Sequence, residues 1–174
     1  MQKENITVRF EESVLPHLDA AYNLARWLTR DPADADDVVQ EAFLRAFKFF
    51  DGFHGGDSRA WVLKIVRNTF YSWLQKNRGH EIATEFDEEQ HSIGTRDPEA
   101  VLIGKIDSQI LKVLLEELPL EFREIVILRD LEGLSYKEIA HVADMPLGTV
   151  MSRLARARRH LQTGLASYLK GESK

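Results

Sequence analysis

Apolar residues in this chain recur every three or four positions and seldom every second, and glycine and proline fall at the ends of those runs. A three-to-four spacing puts apolar side chains on one stripe of a helix, whereas a strand needs alternation. The chain is therefore expected to be all-α. A first helix is expected from about Glu12 to Thr29, with Val14, Leu15, Leu18, Ala21, Tyr22, Ala25 and Leu28 as its stripe. Asp31-Pro32 then supplies an N-cap and a first-turn proline for a helix from about Ala33 to Phe50. Gly52, Gly55 and Gly56 break that helix, and a third runs from about Ser58 to Lys76.

The pattern lapses between Glu81 and Glu99. Eight acids from Glu81 to Asp107 face only Arg96 and Lys105, with Gly94 and Pro98 among them. Such a stretch cannot bury enough apolar surface to offset its ordering entropy, so it reads as a flexible acidic linker. Helical spacing resumes from Ile106 to Leu118 and from Glu121 to Leu131. The expected architecture is two small helical domains, residues 1–79 and 106–174, joined by a linker at 80–105.

Charge is segregated along the chain. The net charge of -5 argues against a free-standing nucleic-acid binder. Yet Arg59 to His80 holds five basic residues and no acid, as does Met145 to Lys170. Two basic faces separated by acidic segments suit two nucleic-acid contacts and a separate protein partner. No cysteine is present, which excludes disulfides, thiolate metal sites and cysteine nucleophiles. The six histidines show no helical metal-ligand spacing and no catalytic partner in a motif. No catalytic group, metal or cofactor is expected. The polar N-terminus lacks a signal peptide's apolar core, and no apolar run is long enough to span a bilayer, so a cytoplasmic protein without membrane insertion is expected.

The strongest motif is Leu134 to Leu161. Ser135-Tyr136-Lys137-Glu138 has the form of a capping box and opens a helix to about Ala143. Asp144-Met145-Pro146 makes a turn, and a basic helix follows from about Leu147 to Leu169. Ile139, Ala140, Val142, Val150, Leu154 and Leu161 can form the small core between the two helices. This is a helix-turn-helix, whose second helix would present Thr149, Met151, Ser152, Ala155 and Arg156 to base edges. Arg153, Arg158 and Arg159 can reach phosphates or bases.

Two further segments are less decisive by themselves. Asp34 to Phe47 reads on its own as an amphipathic core helix. Arg59 to Arg78 interleaves cations with Trp61, Phe70, Tyr71 and Trp73, which suits single-stranded DNA but equally places Trp61 and Phe70 in a core. The loop from His54 to Arg59, with Gly55 and Gly56, is supple enough to wrap an extruded base.

Taken in order, DADDVVQEAFLRAFKFFDGF (Asp34–Phe53), WVLKIVRN (Trp61–Asn68), LPLEFREIVILRDLEGLSYKEIA (Leu118–Ala140) and GTVMSRLARARRHL (Gly148–Leu161) resemble the extracytoplasmic-function sigma factors of bacterial RNA polymerase. The resemblance implies a two-domain transcription initiation factor that works only within the polymerase holoenzyme. It implies that Asp37, Gln40, Glu41, Phe43 and Phe47 dock on the polymerase core. It assigns His54, Asp57, Ser58, Arg59, Trp61, Lys64, Arg67 and Asn68 to the minus-ten strand. It assigns Thr149, Met151, Ser152, Arg153, Ala155, Arg156, Arg158 and Arg159 to the minus-thirty-five element. The acidic linker resembles the segment that threads polymerase near its active-site channel, where its charge could mimic nucleic acid. Implied partners are the polymerase core, promoter DNA and an anti-sigma factor, with the free chain a monomer. The alternatives are a one-component regulator that binds DNA without polymerase and a helical adaptor that ignores promoter DNA.

Overall fold

A computed structural model describes residues 1–78 and 108–171, and all regular structure among them is helical. The expected acidic linker, residues 80–105, lies outside the described residues. The N-terminal domain holds α1 (Gln2–Val14), α2 (Leu18–Thr29), α3 (Pro32–Phe49) and α4 (Ser58–Arg78). The C-terminal domain holds α5 (Ser108–Glu117), α6 (Leu120–Val126), α7 (Tyr136–Val142) and α8 (Leu147–Leu169).

The first expected helix ends at Thr29 as expected but is corrected at its start and in its interior. The chain is already helical at Gln2, and the helix gives way to a 3-10 turn at Leu15–His17 before α2 begins. Pro16 is the reason: without an amide hydrogen it cannot extend the α-helical ladder. Leu15 and Leu18 consequently lie exposed rather than on the core stripe. α1 escaped notice because only Phe10 and Val14 of its thirteen residues are buried.

α2 ends on Arg30 in the left-handed region, φ 59°. Asp31 then caps α3 as its spacing predicts: one carboxylate oxygen accepts the Ala33 and Asp34 amides at 2.9 and 3.0 Å, with Pro32 in the first turn. α2, α3 and α4 enclose Leu24, Leu28, Val38, Ala42, Leu63, Val66 and Phe70, all buried.

In the C-terminal domain α6 runs into a single π turn at Ile127–Leu131. Gly133, at φ 70°, turns the chain into α7. The capping box is reciprocal: Ser135 Oγ accepts the Glu138 amide at 3.1 Å, and Glu138 Oε1 accepts the Ser135 amide at 3.2 Å. Asp144 at φ 50° and Pro146 make the turn into α8. Ile139, Val142, Val150 and Leu154 are buried between α7 and α8, and Ala140 and Leu161 pack against them half-buried. Gly164 lets α5 approach α8: a Cβ there would lie 2.7 Å from Leu114 Cδ2.

The two domains face each other, α2 and α4 of the first against α6 and α7 of the second. Because the α7 cap is formed by one hydroxyl, Ser135→Ala should lower stability by about 1 kcal/mol. Urea unfolding of the full chain should show a lower midpoint at unchanged slope.

Candidate functional site

The outer face of α3 carries a stripe spaced three and four apart: Asp37, Gln40, Glu41, Leu44 and Phe47. Asp37 and Gln40 are exposed. Glu41 is held by Arg45 at 2.5 Å. Phe43 is half-buried against the core, so it supports the face from beneath. Phe47 is half-exposed and meets Phe10 of α1 edge-on at 5.2 Å. Leu44, at 73% exposure, adds an apolar member to this stripe that the sequence reasoning missed, whereas Phe49, at 59%, projects from another side of α3 beside Lys48. The signal for Leu44 was available, since it stands one turn beyond Gln40.

The loop from His54 to Asp57 turns on Gly55 and Gly56, at φ 97° and 100°. Asp57 accepts the Ala60 amide at 3.2 Å at the head of α4. A hydrogen bond with Glu138 of α7 is the main influence holding its carboxyl below the usual carboxylate range, with the Ala60 and Arg59 amides adding to it. Ser58 Oγ pairs with His17 Nε2 at 2.9 Å. Trp61 is half-buried, tilted on Phe53 at 4.9 Å. Lys64 is half-buried and Asn68 exposed. The loop, Trp61 and α7 enclose a cavity of about 430 Å³, into whose lining His54 and His141 also enter.

Arg59 and Arg67 are both engaged by acids, Arg59 with 34% of its side chain exposed and Arg67 with 16%. Arg59 Nη2 donates to the backbone carbonyl of Glu132 and to its carboxylate, the latter at 3.0 Å. Arg67 Nε donates to Glu124 Oε1, and Tyr71 Oη donates to Glu124 Oε2 at 2.9 Å. The Arg67 guanidinium also lies over the Tyr71 ring, 4.6 Å from its centroid. Both acids belong to the C-terminal domain. Burial, then the Glu124 charge, pushes the Tyr71 phenol well above the ordinary tyrosine value. Nearby, Arg123 donates to the carbonyls of Leu118 at 2.9 Å and, across the domain boundary, Leu28 at 3.5 Å. Burial, followed by the charge of Arg30, brings Arg123 down to about 10, so it stays cationic at neutral pH.

On α8 the expected readers divide. Met151 is half-exposed, Arg159 is exposed, and Thr149, Arg153, Ala155 and Arg156 are half-buried. Ser152 Oγ donates to the Thr149 carbonyl at 3.1 Å. The charge of Arg153 is felt at Tyr71, so the head of α8 points toward the domain boundary. Arg158 is not brought to this face: it is buried and pairs with Asp130 at 3.1 Å. Neither Glu124 nor Glu132 was singled out by sequence. The hint was Glu124 standing directly before the buried run Ile125–Leu128.

Comparison with known proteins places this arrangement. Residues 14–80 match the family model for Sigma-70 region 2, and residues 108–161 match that for Sigma-70 region 4. The ECF RNA polymerase sigma-E factor of Haemophilus influenzae is 34% identical over 80% of this chain and 77% of its own length. That of Escherichia coli K12 is 37% identical over 72% of this chain and 70% of its own. The Mycolicibacterium smegmatis ECF RNA polymerase sigma factor SigE is 35% identical over 91% of this chain, which spans 62% of that relative's length. Among solved structures, the sigma factor RpoE of Bartonella quintana, in complex with the anti-sigma factor NepR, is 33% identical with a TM-score of 0.70, over 91% of this chain and 97% of that one. CnrH, in complex with the cytosolic domain of CnrY, is 26% identical with a TM-score of 0.62, over 91% of this chain and 88% of that one. The chain belongs to the extracytoplasmic-function sigma factors of RNA polymerase.

Burial, and then the charge of Arg59, hold the His17 imidazole below the ordinary histidine value, while Asp57 opposes them. A depressed histidine contributes stability that is present at neutral pH and lost as pH falls below the ordinary value. In NMR titrations His17 should protonate below 6.5, and Arg59→Ala should move its midpoint upward. An unmoved midpoint would contradict the contribution of Arg59.

Proposed function

We propose that the chain is an alternative sigma factor that binds RNA polymerase core and directs it to promoter DNA. The observation that carries this reading is the presence, in family order on one chain, of the two matched sigma regions together with a helix-turn-helix. In this reading the outer stripe of α3 from Asp37 to Phe47 docks on the core, with Leu44 adding apolar area. The loop and face from His54 to Asn68 capture and hold the minus-ten strand. The head of α8 enters the major groove at the minus-thirty-five element. There Met151 offers an apolar contact for a thymine methyl, and Arg156 a bidentate donor.

A one-component regulator would need affinity for DNA on its own. The net charge of -5 and the engagement of Arg59 and Arg67 by acids favour the sigma reading, as does family membership. We place the chain in the cytoplasm because its polymerase partner works there; among the described residues no helix is long and apolar enough to cross a membrane. An anti-sigma partner is proposed from a similar structure, in which the sigma factor RpoE is in complex with the anti-sigma factor NepR. The chain is proposed to act without catalytic chemistry of its own and to be monomeric when free.

Run-off transcription with bacterial core polymerase on a promoter library tests the reading. Initiation at a defined subset of fragments only when the protein is added is expected; absence of initiation with specific DNA binding by the chain alone would replace it with the one-component regulator. Arg156→Ala should reduce promoter-specific initiation by about tenfold, corresponding to roughly 1–3 kcal/mol for one lost bidentate contact, with core binding intact. Leu44→Asp combined with Phe47→Ala should weaken core binding by about tenfold or more, since exposed apolar anchors dominate such surfaces. Holoenzyme assembly at wild-type affinity by fluorescence titration would rule out that docking face.

A further inference from the structure

Two guanidinium groups converge at the end of α5. Arg30 Nη1 donates to the carbonyl of Glu116 at 3.0 Å. Arg123 Nη1 donates to the same oxygen at 3.3 Å and to the carbonyl of Leu118 at 2.9 Å. Carbonyls in the last turn of a helix carry partial negative charge, enough to gather two cations and too little to neutralise them. Among the described residues no carboxylate forms an ion pair with either arginine. Burial, then the charge of Arg30, weigh against the Arg123 cation, and Tyr71, Glu116 and Glu121 offset them only in part. A pair of like charges in this state attracts an anion.

Arg123 keeps a pair of donors in reserve. It is only 4% exposed, yet its buried Nε has no hydrogen-bond partner. Its Nη2 meets the Leu28 carbonyl at 3.5 Å, which is the far limit of a hydrogen bond. A buried donor without an acceptor is costly. Nε and the neighbouring Nη of a guanidinium present two parallel N–H groups, spaced to match the two oxygens of a carboxylate. Both arginines line a cleft of about 270 Å³, whose other walls are Thr29 and apolar side chains, with no acid. The Thr29 hydroxyl is committed to the Ala25 carbonyl at 2.8 Å. Phe70 and Trp73 bring stacked rings, 6.1 Å between centroids and 26° apart. An apolar cleft with a few polar groups to fix orientation is the make-up of a small-molecule site. Its volume lies just below the roughly 300–1,000 Å³ common for such sites, which limits an occupant to about the size of two fused rings.

We propose that this cleft binds a small aromatic carboxylate. The carboxylate takes the Nε and Nη2 donors of Arg123, with Arg30 as a second cation, and the ring lies against the apolar walls beside Trp73 and Leu118. A neutral aromatic compound would leave both arginines unmatched. A phosphate, with three oxygens and more charge, calls for donors on several sides. Here Pro119 brings no amide hydrogen to the rim and Thr29 is already engaged, so a flat head with two oxygens fits better. None of these residues belongs to the surfaces proposed for polymerase or promoter DNA, and the site stands whether or not the sigma reading does.

The test titrates the full chain with naphthoate at neutral pH. Binding should saturate with a dissociation constant of about 0.01–1 mM, the range open to a compound of this size, and the melting temperature should rise with naphthoate concentration. The Arg123 Nε–H signal in NMR should shift with the same midpoint. Naphthamide, the neutral isostere, should bind at least about tenfold more weakly, since its head group carries no charge for the arginines. Arg123→Lys keeps the charge without the paired donors and should weaken naphthoate about tenfold. Arg30→Gln, at an exposed position, should weaken it about threefold, the share of a partly screened charge, and it serves if Arg123→Lys does not fold. Leu120→Trp narrows the cleft and should abolish binding. Absence of saturable binding would overturn the site, as would an affinity unchanged in Arg30→Gln and Leu120→Trp. Equal binding of naphthamide would overturn the role of the arginines, and tighter binding of naphthyl phosphate than of naphthoate would overturn the choice of a carboxylate.

Discussion

A single carboxylate governs how the two halves of this molecule meet. Glu124 is enclosed on all sides, and enclosing an ionised group costs several kcal/mol unless hydrogen bonds and an opposite charge replace its water. Tyr71 and Arg67 supply those replacements from one helix, at positions four apart and hence on one face. The requirement is directional. A small slip of α6 along α4 would leave one oxygen unbound, so the pair sets the register of the domains more tightly than apolar contact could. Arg59 on Glu132 repeats the device one end of α4 away, and two such points fix an orientation.

Much of the fold was legible because its signals are local. The Asp31-Pro32 cap, the Gly133 turn and the reciprocal Ser135–Glu138 box each satisfy backbone groups within a few residues, so the sequence carries them directly. The start of α1 was illegible for the converse reason: its burial depends on Phe10 reaching Phe47 and Phe50 on other elements, which no local pattern announces. Pro16 was present in the sequence, but the continuous stripe around it outweighed a single breaker.

The candidate site was legible by residue type more than by direction. A run of arginines on α8 reads as one basic face, yet successive positions on a helix turn by about 100°. Arg158 therefore points inward to Asp130 while Arg159 points outward. Likewise Arg59 and Arg67 have the chemistry of strand-binding residues, and only the tertiary arrangement reveals that carboxylates hold them. Long-range charge pairs leave no periodic trace, so Glu124 and Glu132 were visible only as acids in or beside apolar runs.

The loose fit along the domain boundary has a mechanical consequence. Clefts of about 270 Å³ between Phe70, Trp73, Leu118 and their neighbours and about 430 Å³ between the His54 loop and α7 make this boundary the more compressible part of the molecule. Separation of the domains would hydrate the buried Glu124 and Arg67 charges, and water contracts around exposed ions. The separated form therefore has the smaller volume, and hydrostatic pressure biases the chain toward it while each helical domain, with its own closely filled interior, resists.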